Sequence, residues 1–109
     1  MPLALKKTGE YRRVYDSGKK LVGRYLVLFY MPGEGPSRVG ITVSGKLGGA
    51  CARNRIKRRL REALRMETAE EGPGRMGALM VFVAKGRIGA APFKDITRDI
   101  RTLLSKIKI

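Results

Sequence analysis

Histidine and tryptophan are absent from these 109 residues, and cysteine occurs once, at Cys51. The lack of histidine excludes the usual zinc sites and imidazole acid–base chemistry. A lone thiol cannot close a disulfide within the chain, and Cys51 reads as a small, buried or half-buried side chain rather than a reactive one. Acid is scarce as well, with 9 Asp and Glu against 24 Lys and Arg. Asp16, Glu62, Asp95 and Asp99 lie scattered among basic neighbours, so no paired-carboxylate or metal-ligand spacing emerges. There is no Ser/His/Asp set, no Cys/His pair and no glycine loop of the phosphate-cradling type. No apolar run approaches the roughly 18 residues of a spanning helix, and the N-terminus lacks a signal-peptide pattern. The expectation is a cytoplasmic chain without a membrane partner, without a metal site or catalytic side chain of its own, and with no protein partner evident.

What is present is positive charge on a globular composition. A formal charge of +15 accompanies 43% apolar residues, so the chain has material for a core and yet repels itself when free. A polyanion that sheds condensed counterions on binding relieves that repulsion, which makes nucleic acid the leading partner. The length suits one domain, residues 1–109.

Periodicity predicts six elements. Tyr11, Val14 and Tyr15 recur at helical spacing in a short helix that Gly18 can end. Arg24 to Met31 and Ser37 to Ser44 read as strands, with Gly33 to Pro36 as a hairpin loop between them. After the glycine-rich turn Gly45 to Gly49, a helix is predicted from about Cys51 to Glu71, stopped by Gly72, Pro73 and Gly74. Ala78 to Ala84 reads as a buried strand. Pro92 opens a last helix toward Lys106, whose apolar stripe is Phe93, Ile96, Ile100, Leu103, Leu104 and Ile107. The order α-β-β-α-β-α implies an α+β fold, a two-layer sandwich of a β-sheet with packed helices.

The most informative segment is CARNRIKRRLREALRM, Cys51 to Met66. At 100° per residue, Ala52, Ile56, Leu60, Ala63 and Leu64 share an arc of about 120°, enough for a core-facing stripe. Asn54, Arg58, Arg61 and Arg65 fall on the opposite side, with Arg55 and Arg59 at one edge of the stripe and Arg53 and Lys57 at the other. Most charge runs are merely solvated faces. Such faces ordinarily mix signs, however, whereas Glu62 is the single acid among the seven cations from Arg53 to Arg65. Six of the seven are arginine, whose planar fork grips phosphate bidentately and stacks on bases.

At these residues the chain closely resembles the bacterial ribonuclease P protein family, whose signature is a Lys-Gly turn followed by an Arg-Asn-Arg helix. Lys46, Gly48, Ala50, Arg53, Asn54, Arg55, Ile56, Lys57, Arg58, Arg61 and Glu62 match it in order. Tyr11 and Tyr15 stand where the family has two phenylalanines, Arg38 to Gly40 match its Arg-Val-Gly strand, and Leu79 to Ala84 and Phe93 to Leu104 match its closing strand and helix. The usual double lysine before the turn is Gly45 and Lys46 here, and the acid often found entering the third strand is absent at Gly77 and Ala78.

The resemblance implies a mixed sheet with the rare left-handed β-α-β crossover. It further implies that Lys46, Arg53, Asn54, Arg55, Lys57, Arg58, Arg61 and Arg65 contact the catalytic RNA subunit. A cleft between the basic helix and the sheet face would hold the single-stranded 5′ leader of precursor tRNA, with Tyr11, Tyr15 and Phe29 stacking its bases; core packing is the competing role for these aromatics. Hydrolysis would belong to the RNA and its bound Mg2+, leaving the chain alone inactive.

Overall fold

A computed structural model describes residues 3–5, 7–33, 37–68 and 77–107. Along the chain come β1 (Leu3–Ala4), α1 (Thr8–Ser17), β2 (Lys19–Val22), β3 (Leu26–Pro32), β4 (Arg38–Thr42), α2 (Ala50–Thr68), β5 (Ala78–Ala84) and α3 (Phe93–Ser105). Short 3-10 turns at Gly45–Leu47 and Ile88–Ala90 lead into α2 and α3. The predicted stop of α2, Gly72, Pro73 and Gly74, lies outside the described residues.

The strands form one mixed sheet in the order β1-β4-β5-β3-β2. β5 is its centre, antiparallel to β3 from Leu26↔Ala84 to Pro32↔Ala78 and parallel to β4 from Arg38↔Leu79 to Thr42↔Val83. Its sequence, ALMVFVA, is apolar throughout because helices cover both faces of the sheet. Ala78, Met80, Phe82 and Ala84 pack with Ile56, Leu60, Ala63 and Leu64 of α2 and Ile96, Ile100, Leu103 and Leu104 of α3. Leu79 and Val81 face the other way, toward Val14 of α1 and Leu5. The α+β expectation stands, with α1 adding a partial third layer.

The hairpin expected across Gly33 to Pro36 does not form, because β5 lies between β3 and β4. The wholly apolar strand needs a neighbour on each edge as well as cover on each face, and β3 and β4 are the apolar strands able to supply it. Gly33 N–H accordingly donates to the Gly77 carbonyl at 3.1 Å and continues the β3–β5 ladder. β2 is a strand the sequence reading passes over. Lys19 and Lys20 disguise it, and they suit a sheet edge, where lysine discourages pairing with another chain.

β4 and β5 are parallel neighbours joined through α2, and the hand of that crossover follows from one residue. Val39 points its side chain into the α2/α3 layer, while its carbonyl accepts the Leu5 N–H at 2.8 Å, on the β1 side. Seen from that layer with β4 running upward, an L-residue whose side chain faces the viewer aims its carbonyl to the right. β1 therefore lies to the right of β4 and β5 to the left. The crossover is left-handed, against a strong right-handed preference.

A buried acid ties α3 to the far edge of the sheet. Asp99, 8% exposed, accepts the backbone N–H groups of Arg24 and Tyr25, each at 2.9 Å. A Cβ on Gly23 would come within 2.7 Å of that carboxylate, so the β2–β3 turn needs glycine there for the approach.

Candidate RNA interface

Two surfaces carry the residues singled out by the sequence, and they lie on opposite faces of the sheet. The first is α2. Its apolar stripe buries Ile56, Leu60, Ala63, Leu64 and Thr68, whereas Ala52, expected in the stripe, stays exposed beside the Gly48 turn. Gly48 has φ 133°, a conformation that favours glycine, and this turn presents Lys46 to solvent just before the helix.

Around the stripe the cations divide into two groups. Arg59 donates to the carbonyls of Ile88 and Ala91 and so braces the turn before α3. Arg65 is neutralised by Glu62 one turn back, and that hydrogen bond holds the Glu62 carboxyl below its usual range. Arg55, Lys57, Arg58 and Arg61 have no ion-pair partner among the described residues, and Asn54 is exposed beside them. The Nε of Arg53 is buried without a hydrogen-bond acceptor. An orphaned buried donor costs roughly 1–3 kcal/mol. No acid occupies the first turn of α2, so its dipole adds to this positive end.

The second surface is the sheet face under α1, and here the expected cleft needs correction. It does not lie between α2 and the sheet, because α2 closes on its own face with core contacts. Tyr11, Tyr15 and Phe29 all belong to the opposite face. Register organises them in transverse rows, since partner residues across a sheet share a side. Lys20, Phe29, Val81 and Gly40 form one row, and Val22, Val27, Val83 and Thr42 form the next. α1 lies over the first row and over the Met31, Leu79 and Arg38 row beyond it, but not over the second. In the first row Val81 is buried, and Tyr11 roofs Gly40 so closely that a Cβ on that glycine would fall 2.4 Å from the phenol oxygen. The second row stays open, with Val22 59% exposed and Val27, Val83 and Thr42 half-buried.

Tyr15 stands at the border of the open row. Its hydroxyl pairs with Thr42 Oγ1 at 2.7 Å, and its ring meets Phe29 edge-on with centroids 5.0 Å apart. Lys20 Nζ sits 5.9 Å from the centre of the Phe29 ring. An apolar floor, an aromatic edge and a cation are the parts of a platform for unpaired bases. Tyr11 contributes packing instead, donating to the Leu5 carbonyl at 3.3 Å, with burial pushing its phenol above the usual tyrosine value. Lys20, Val27, Val83 and Thr42 escape sequence reasoning; only the strand register assembles them. Arg38, at the covered end, is engaged with Glu10 at 2.6 Å.

No helix among the described residues is long and apolar enough to cross a membrane. No group of three or more Cys, Asp or Glu gathers among them to cage a metal ion.

Comparison with known proteins bears on the family and the fold. A ribonuclease P family model matches residues 2–108. The ribonuclease P protein component of Caldanaerobacter subterraneus subsp. tengcongensis is 43% identical over 103 residues, 94% of this chain and 86% of the relative. That of Clostridioides difficile is 39% identical over 106 residues, 96% and 91% of the two chains. Among solved structures, the ribonuclease P protein from Thermotoga maritima superposes with a TM-score of 0.82 at 26% identity, covering 97% of this chain and 98% of its own. A matching family model over almost the whole length, two relatives of this identity and a shared architecture make the chain a member of the bacterial ribonuclease P protein family.

Proposed function

We propose that this chain is the protein subunit of a ribonuclease P ribonucleoprotein, which removes the 5′ leader of precursor tRNA, and that α2 docks on the RNA subunit. The observation that carries this is the division of the α2 cations. Arg59 and Arg65 are satisfied within the protein, while Arg55, Lys57, Arg58 and Arg61 have no ion-pair partner among the described residues and are left for phosphate, with half-buried Arg53 beside them. Lys46 and Asn54 extend the same surface. Binding is then strongly salt-dependent, each phosphate neutralised adding about 0.7–0.9 to the slope of log affinity against log salt.

The open row on the other face serves the leader. A single strand laid across Val22, Val27, Val83 and Thr42 stacks bases against Tyr15 and Phe29, with Lys20 beside its backbone, a mode tolerant of sequence. The protein thus holds two RNA segments on opposite sides of one sheet. Phosphodiester hydrolysis belongs to the RNA and its Mg2+, and the protein's share is binding energy and screening of phosphate repulsion. Such a ribonucleoprotein works in the cytoplasm.

Reconstitution tests the reading. The chain combined with a bacterial ribonuclease P RNA at low magnesium should cleave precursor tRNA faster than that RNA alone, and RNase-treated protein alone should cleave none. Cleavage by the protein alone would return the chemistry to its own side chains.

A further inference from the structure

We propose that the groove between α2 and α3 takes one unpaired base of the RNA subunit, stacked on Phe93, with the flanking phosphates on Arg58 and Arg61; this rests on the subunit reading above. Arg58, Arg59, Arg61, Glu62, Arg65 and Phe93 line a groove of about 540 Å³, within the range of roughly 300–1,000 Å³ typical of ligand clefts. Phe93 opens α3, and its ring is half-buried, packed on one side against the main core and facing the arginines on the other. The sequence pattern assigns it to the core stripe of α3, and the structure leaves part of it in the groove.

Charge selects the occupant. Arg59 is held by backbone carbonyls and Arg65 by Glu62, so their guanidinium groups have their acceptors. Arg58 and Arg61 are exposed and unpaired among the described residues. Two free cations at the mouth of an aromatic-floored groove would repel a basic segment docked there, and a neutral apolar one would desolvate them without compensation. A nucleotide meets both demands at once, offering a flat π-face to the ring and anionic oxygens to the rim. A duplex does not, because its bases are already stacked and only its phosphates would reach α2. The RNA contact thereby extends from α2 to the first turn of α3 and contains one base-stacking position among its phosphate contacts.

The chain has no tryptophan, so Phe93→Trp introduces a single fluorescent indole at the groove. Wild type, Phe93→Trp and Phe93→Leu are titrated with a bacterial ribonuclease P RNA and with a blunt RNA duplex as control. Phe93→Leu should weaken binding to the ribonuclease P RNA by roughly 5- to 150-fold, the range for one lost base stack. Its salt slope should be unchanged, since no phosphate contact is removed. The introduced indole should be quenched by ribonuclease P RNA and not by the duplex. Wild-type affinity in Phe93→Leu together with an unquenched indole overturns the proposal, as does equal quenching by the duplex. Thermal melting accompanies the titrations, and if Phe93→Leu melts early the quenching arm decides alone. Wild-type binding to ribonuclease P RNA no tighter than to duplex would instead sink the subunit reading; a short single-stranded oligoribonucleotide would then still quench the indole if the groove accepts bases.

Discussion

Tyr11, Tyr15 and Phe29 show how three aromatics on one face divide their labour by what lies above and beside them. Tyr15 is 37% exposed and held by one hydroxyl contact with Thr42, so its ring is available to a passing base. Tyr15→Ala should weaken binding of precursor tRNA bearing a leader by roughly 5- to 150-fold, leaving mature tRNA and the melting temperature almost untouched. A large fall in melting temperature with uniform loss of all binding would assign the ring to packing. Tyr11 is the opposite case, a roof over Gly40 whose ionisation is opposed by burial. Its folded pKa lies above the ordinary 10.0, so the unfolded chain ionises first and gains stability as pH rises. The stability that Tyr11 contributes is whole below that value and is lost as pH climbs through it. Between about pH 9 and pH 11, wild type should therefore lose more unfolding free energy than Tyr11→Phe, as measured by denaturant melts across that range. Parallel pH profiles would mean that the phenol is as free to ionise in the folded state as in the unfolded one.

At the scale of elements, α2 carries two opposed demands, burial of one stripe and display of cations on the rest of its surface. Ion pairing decides which cations count. Arg55→Ala and Arg58→Ala should each reduce the salt slope of RNA binding by about 0.7–0.9, while Arg65→Ala should change it less because Glu62 already neutralises that side chain. Equal slopes for all three variants and wild type would mark the helix as a solvated face. Helices and the central strand are legible in the sequence for a physical reason. A period of 3.6 or an unbroken apolar run survives tertiary packing, so α2, α3 and β5 stand close to where Cys51, Pro92 and Ala78 place them. β2 is not legible, since two lysines and two flanking glycines outweigh Leu21 and Val22 in any pattern. The same limit applies to the two surfaces. The cations of α2 follow from local spacing, whereas the open row joins Val22, Val27, Thr42 and Val83 from four strands, and only the register unites them. The false hairpin has this origin too: strands adjacent in sequence are good local candidates for pairing, and nothing local reveals that β5 will come between them.

Over the whole molecule, the sheet keeps the cationic surface of α2 and the open row beside α1 on opposite sides. That separation depends on the central strand, and β5 is also the last in chain order of the described strands. Until Ala78 to Ala84 leave the ribosome, β3 and β4 have no hydrogen-bonded partner at the centre of the sheet, and the apolar stripe of α2 has no floor. The nascent chain therefore stays open and cationic for most of its synthesis, and folding waits on pairings that span about fifty residues, of the long-range kind that slows folding. A fragment of residues 1–77 should show no cooperative unfolding transition by circular dichroism, whereas the full chain should show one; a cooperative melt of the fragment would mean that the earlier strands assemble without their centre. Folding then turns on a single closing event, in which one seven-residue strand joins two strands that are not neighbours in the sheet and gives the helices on both faces their floor.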